Sequence, residues 1–209
     1  MRVVCILVPT FMMHHPLNWR LSRAGPARYD RIVPGPATPA DGGTPAPAPL
    51  DRVQALANTL GADWDTDLLR TREDATGWLR AVALLPPEAG LSNSEHGALL
   101  RLRESLRDVL AAHTDGHQDA TAAERLSRAL ADGRIIVTVN PASAIRLASA
   151  ARASYSGLVA IVAVAIADSA AAGTWLRLKS CSVAGCGVAF YDDSAAATAT
   201  RCAAHAAGA

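Results

Sequence analysis

From Leu50 to Leu130 the apolar positions recur with the period of a helix, and the residues between them supply starts and stops. Val53, Leu56, Ala57 and Leu60 follow Asp51 at helical spacing, which predicts a first helix with Asp51 as N-cap and Gly61 at its end. An irregular stretch from Ala62 to Arg70 includes Trp64. Ala75, Trp78, Leu79, Val82 and Leu85 then form the stripe of a second helix from about Arg72 to Leu85, capped by Thr71 and stopped by Pro86-Pro87. Ser92-Asn93-Ser94-Glu95 fits a capping box, in which a hydroxyl and a carboxylate each satisfy a free backbone N–H, and it opens a third helix. Leu99, Leu102, Leu106, Val109 and Leu110 line one face of that helix; Arg103, Arg107 and Asp108 fall mainly on the other. Thr121 and Glu124 repeat the capping-box pattern for a fourth helix, which carries Leu126, Ala129 and Leu130 and ends at Gly133.

The rhythm then changes. Ile135 to Val139 is short and β-branched, Asn140-Pro141 signals a turn, and Ala144 to Ser149 returns as a second strand, so a hairpin is predicted. A further helix spans about Ala153 to Ala172. Its segment Leu158 to Ala167 is apolar on every side, but a bilayer span needs about twenty such residues, and Asp168 ends the run; a core helix is the reading.

Before Leu50 the periodicity is missing. Six of the twelve prolines lie between Pro34 and Pro49, mixed with Ala, Gly and Thr, so residues 1–49 are expected to be an extended, disordered extension. Its apolar run from Val3 to Met13 resembles a signal peptide, but no small-residue cleavage site follows and His14-His15 comes next; an irregular extension is preferred. The expected organisation is this extension, a helical domain over residues 50–173 and a small module over residues 174–209. The fold class is mainly α: a helical bundle-like domain with a small β-hairpin, followed by a short C-terminal module.

Composition alters this picture little. Half the residues are apolar and only 4% aromatic, which favours closely packed helices. A net charge of +1 leaves no global field to recruit nucleic acid or an anionic membrane, so such binding needs a local patch.

Chemistry concentrates at the C-terminal end. Cys181 and Cys186 are spaced Cys-x4-Cys, fifteen residues follow, and Cys202 and His205 are spaced Cys-x2-His. Thiolates and an imidazole suit tetrahedral Zn²⁺, and short spacing lets one turn offer two ligands. Gly185 and Gly187 let the first pair curl round an ion, Ser194 is a candidate cap for a last helix presenting Cys202 and His205, and Val188 and Phe190 suit a small apolar floor. The competing reading is a set of unliganded thiols in an Ala-rich tail. Clustering with a histidine points to a reducing, cytoplasmic compartment, with Cys5 a lone thiol.

Other candidates are weaker. His113 and His117 are expected in a solvated loop, His96 on the surface, and Arg101, Arg103 and Arg107 on a solvated face interleaved with Glu104 and Asp108. No Gly-rich phosphate loop and no nucleophile elbow occurs, and the adjacent Asp192-Asp193 make no acid/base site; an enzyme is not expected.

The tail resembles the CGNR-type zinc finger of bacterial proteins with a helical ABATE domain, a family described as stress-induced transcription regulators. Arg177-Leu178-Lys179 leads into Cys181 and Cys186. Phe190, Asp192 and Ser194 fit the family's Phe-x-Asp-x-Ser, and seven residues separate Ser194 from Cys202. Leu56-Ala57-Asn58-Thr59 is similar to its early Asn-Thr motif, and Gly77-Trp78-Leu79 to its Trp-Leu. The resemblance covers about residues 50–209. It implies one structural zinc, DNA as partner and a small-molecule or protein effector at the helical domain; the short apolar run of Leu158 to Ala167 leaves no membrane partner expected.

Two departures matter. The family's basic run is replaced by Ala195–Thr200, leaving Arg201. The fourth family cysteine is replaced by Ala207, with His205 two positions earlier as candidate ligand; without it the site has three. Arg177, Lys179 and Arg201 remain as nucleic-acid candidates. The expected function is a zinc-binding transcription regulator; the alternative is a non-DNA-binding interaction or ligand-sensing protein with a degenerate finger.

Overall fold

The computed structural model describes residues 44–62, 65–151 and 154–206. Among them the fold is mainly α with two small antiparallel hairpins, in the order α1 (Asp51–Ala57), α2 (Arg72–Ala81), α3 (Asn93–Asp115), α4 (Ala120–Leu130), β1 (Ile135–Val139), β2 (Ile145–Ser149), α5 (Tyr155–Ala171), a 3₁₀ turn (Trp175–Arg177), β3 (Leu178–Ser180), β4 (Ala189–Tyr191) and α6 (Ala203–Ala206). Cys5, His14, His15 and Trp64, with most of the expected extension, lie outside the described residues.

The spine is α3, 23 residues and so about 35 Å long. The predicted capping box is present: the Ser92 hydroxyl accepts from the Glu95 N–H, and the Glu95 carboxylate accepts from the Ser92 N–H. Gly116, at φ 66°, closes the other end in the left-handed conformation that costs glycine little. Leu99, Leu102, Leu106 and Leu110 are fully buried in the core, where α3 packs against α1, α2, α4 and β3. α5, apolar on every side from Leu158 to Ala167, is the second core helix, and no helix among the described residues is long and apolar enough to cross a membrane.

Several starts and stops differ from expectation. Leu50, not Asp51, is the N-cap of α1, and α1 ends at Ala57 with Asn58 as its C-cap, the Asn58 N–H still returning to the Gln54 carbonyl while its side chain reaches Ala189. Thr71 caps α2 as predicted, but α2 stops at Ala81. Leu85 is restrained by the proline that follows it, and the amides of Leu84 and Leu85 both turn back to the Leu79 carbonyl, burying their side chains. Asp119 caps α4 in place of Thr121, its carboxylate accepting from the Ala122 N–H, and an anion at a helix start outcompetes a hydroxyl. Gly133 lies beyond α4; a Cβ there would fall 3.0 Å from the Ala160 backbone nitrogen, so it permits close approach of the chain to α5.

The arginines expected on a solvated face are buried instead: Arg103 is 4% and Arg107 8% exposed. The 58–70 loop folds over that face of α3. Asp67 meets the Arg103 guanidinium at 2.5 and 3.2 Å, and Arg107 donates to the Ala57 carbonyl at 3.1 Å. His96 is half-buried, its Nε2 donating to the Leu69 carbonyl.

Residues 44–49 are seated on the fold rather than free of it. Ala46 is buried, its N–H donates to Gln54 Oε1, and the Thr44 carbonyl accepts from the Tyr191 N–H of β4. The β3–β4 hairpin, register Lys179 opposite Phe190, is likewise built into the helical core, since Leu178 and Ala189 belong to it.

Side chains from helices clip both edges of this hairpin. Asn58 brackets Ala189 like a neighbouring strand, accepting from its N–H at 2.7 Å and donating to its carbonyl at 2.9 Å, with Gln54 donating to the same carbonyl. On the opposite side, at the last turn of α3, His113 Nδ1 donates to the Leu178 carbonyl while Thr114 both accepts from the Ser180 N–H and donates to its carbonyl. An open strand edge is thereby closed by side chains. Asn58→Ala leaves the buried Ala189 amide without its acceptor, and a loss of roughly 1–3 kcal/mol is expected in urea unfolding, with Asn58→Asp recovering only the accepting half.

Candidate metal centre

Each potential ligand is placed by short, local geometry. Cys181 follows β3, and its N–H donates to the Val188 carbonyl, so the chain between them forms a tight loop. Within the loop the Cys186 N–H returns to the Val183 carbonyl, and Gly185 (φ 82°) and Gly187 (φ 58°) take the left-handed turns that point Cys186 back at Cys181. The third segment is held by the Ser182 N–H, which donates to the Thr200 carbonyl. Cys202 opens α6, and the N–H groups of His205 and Ala206 both donate to its carbonyl, which puts His205 on the same side.

The result is one cluster. The ligand atoms of Cys181, Cys186, Cys202 and His205 all lie within 4.8 Å of one another. The Cys186 and Cys202 sulfurs are 3.9 Å apart, and His205 Nδ1 lies 3.5 Å from Cys181 Sγ and 3.3 Å from Cys202 Sγ. A tetrahedron with bonds of about 2.3 Å to sulfur and 2.0–2.1 Å to nitrogen has S–S edges of about 3.8 Å and S–N edges of about 3.5 Å. These three edges fit it, the others stay within 4.8 Å, and an S–S separation of 3.9 Å is far beyond the 2.05 Å of a disulfide. Val188 and Phe190 supply the expected apolar floor, joined by Val183 and Ala199.

Electrostatics also ask for a cation. Burial raises all three thiols, most clearly Cys186, pushed up to about 12 by burial and by its sulfur neighbours. Burial and the Cys181 side chain likewise raise Cys202. Against its own burial, Cys181 is brought down to about 7 by the backbone N–H groups of Cys202 and Val183 and by the other two thiols. One thiolate is therefore accommodated and two more are resisted, a penalty that a divalent cation at the centre removes.

The matching comparison concerns the helical part. A family model described as "ABATE: Putative stress-induced transcription regulator" matches residues 50–173. The chain belongs to the ABATE family. No curated protein matches it. The match ends before Cys181, so the metal centre rests on its own geometry and on its seat on the ABATE domain through Asn58, Gln54, His113 and Thr114.

The tail motif that resembles the CGNR finger has a structural explanation. Lys179 is buried, its Nζ donating to Asp192 Oδ2 at 2.8 Å and to the carbonyls of Ala197 and Ala199 at 2.6 and 3.1 Å. Asp192, fully buried, also accepts from the Ser194 N–H and hydroxyl and from the Ala199 N–H. Arg177 donates to the carbonyls of Asp192 and Ser194. Together they fold the 192–199 loop that returns the chain to Cys202. Ser194 thus holds Asp192 and does not cap α6, a correction to its expected role. Of the three nucleic-acid candidates, Arg177 and Lys179 point into this loop and Arg201 is exposed.

His113 was expected in a solvated loop with His117. It is instead half-buried in α3, edge-on to Trp175 at 4.9 Å. Burial lowers its pKa, outweighing the Leu178 carbonyl that favours the charged form, with the Lys179 charge lowering it further. A base whose folded pKa is depressed contributes stability that is intact above its unfolded value of 6.5 and declines as pH falls below it. Urea midpoints measured between pH 8 and 5 are expected to fall for the wild type and to fall less for His113→Gln. Sequence reasoning missed His113, Thr114 and Gln54 as supports of the centre; nothing in helical periodicity distinguishes a polar residue facing a backbone edge from one facing water.

Proposed function

We propose that Cys181, Cys186, Cys202 and His205 hold one Zn²⁺ and that the chain acts as a zinc-dependent transcription regulator. The observation that carries the metal assignment is the convergence of three sulfurs and one Nδ1 within 4.8 Å of one another, with the Cys186–Cys202, Cys181–His205 and Cys202–His205 separations close to tetrahedral edges. Four protein ligands leave no open coordination position for water, so the ion's contribution is structural: it ties the Cys181–Cys186 loop to α6. The family description supports the regulatory role.

One observation favours a second reading, an ABATE protein whose tail serves interaction or sensing without gripping DNA. Phosphate contacts need free cationic donors, and Lys179 directs its three into the protein. The two readings separate in a retardation assay on random-sequence duplex with salt titration. The regulator reading expects binding at low salt that weakens with added salt, and Arg201→Ala should reduce the log–log slope by about 1. No retardation at low salt with zinc-loaded protein selects the second reading.

A further inference from the structure

The β1–β2 hairpin carries a surface that neither the metal centre nor the helical core uses. Register places Ile135, Val137 and Val139 of β1 on the same face as Ile145, Leu147 and Ser149 of β2, Val137 opposite Leu147 and Val139 opposite Ile145. The five aliphatic residues of that face are 41, 63, 65, 62 and 37% exposed for Ile135, Val137, Val139, Ile145 and Leu147. Five of the seven large hydrophobic residues exposed among the described residues thus share one side of one hairpin. The reverse face holds Ile136, Thr138, Arg146 and Ala148, and β2 approaches α5, where Ala148 and Ser149 are half-buried.

We propose that this face is where two copies of the chain associate, hairpin against hairpin about a two-fold axis passing near Val137 and Leu147. Three observations select a second copy as the occupant. The exposed area amounts to about two and a half whole aliphatic residues. That is a patch of several hundred Å², against the roughly 300–600 Å² of the largest patch on a typical monomer. A standard interface takes roughly 800 Å² per partner; the aliphatic face supplies its apolar centre, and the exposed 140–143 turn lies beside it to supply the rim. The face bears no charge, so a copy can cover it without burying an unpaired ion, and a chain of net charge +1 does not repel its own kind. The face is also self-complementary: its centre is the Val137–Leu147 pair, with Val139 and Ile145 on one side and Ile135 and Ser149 on the other, so a two-fold rotation within the plane between two such sheets sets centre on centre. Stacked sheets pack face to face at about 10 Å with interdigitated side chains, and a two-stranded hairpin alone is marginal in water.

The test is sedimentation velocity on the full, zinc-loaded chain from about 1 to 100 µM, the range that spans the weak end of affinities for interfaces of standard size. Wild type is expected to pass from monomer to dimer. Val137→Lys and Val137→Glu, at a position already 63% exposed, are each expected to remain monomeric with unchanged far-UV circular dichroism. Mixing the two variants is expected to restore a dimer, since the central positions of the two copies then carry opposite charges. Hydrogen exchange of the β1 and β2 amides should slow with rising wild-type concentration. A wild type monomeric throughout this range would overturn the proposal, as would a dimer that survives both variants. Hairpin protection independent of concentration would also overturn it, by showing that the face is covered within one chain.

Discussion

Chelation of the full chain under reducing conditions is expected to open the segment from Cys181 to Ala206 while leaving α3 and α5 folded. Removing the ion would leave three buried sulfurs crowded on one imidazole, with nothing to balance the charge of more than one thiolate. In small finger peptides structural zinc supplies about 10–16 kcal/mol of apparent folding free energy. This module keeps part of its stability from Leu178 and Ala189 in the helical core and from the Asn58 and Thr114 clips. A loss of only about 2.7 kcal/mol would already cut amide protection a hundredfold. Hydrogen exchange should therefore show at least about a hundredfold loss of protection at Cys181, Ser182 and Cys186, with little change at Leu102 and Leu106. Cys186→Ser should reproduce the chelated state without chelator, and equal loss of protection along α3 would mean that the module and the helical domain unfold as one.

Asp192→Asn is expected to be the most damaging substitution outside the four ligands. Asp192 is fully buried and Lys179 nearly so, and truncating one partner of such a pair leaves the other charge without balance, at about 3–5 kcal/mol. Lys179→Met should cost less, because the remaining carboxylate keeps the Ser194 and Ala199 N–H donors. Although burial alone would raise it, the Asp192 carboxyl is held down to about 2 by Lys179 and then by Ser194 and the Ala199 amide. A carboxyl with a depressed folded pKa contributes stability that is intact above its unfolded value, near 3.8, and is lost as pH falls toward 2. The stability gap between wild type and Asp192→Asn, read from urea midpoints, should hold at neutral pH and close between about pH 4 and pH 2. A constant gap would remove the ion pair as its cause.

Much of the fold was legible because α3, α5 and the β1–β2 hairpin are long or strongly patterned, and their caps and turns agree with their periodicity. The Cys/His cluster was legible because two short spacings placed its four members in two local turns. The polar residues that join these parts were not. Arg103 and Arg107 read as solvated because periodicity reports one apolar stripe and cannot see that the 58–70 loop, with Asp67, closes over the other side. Arg177 and Lys179 read as phosphate ligands because a cation in a motif has the same letter whether it faces a phosphate or the carbonyls and carboxylate of its own loop. Asn58 was visible as part of a motif, but its role depends on Ala189, 131 residues away.

On the proposed reading, three cysteines and one histidine close a single zinc site on the ABATE domain. Native mass spectrometry of the full chain, purified under reducing conditions and then incubated with zinc, tests it most directly. One zinc per wild-type chain, none on Cys181→Ser and weakened retention on His205→Ala are the predicted results. A wild-type chain that stays metal-free after zinc addition, with its circular dichroism and melting temperature unchanged, would contradict the account.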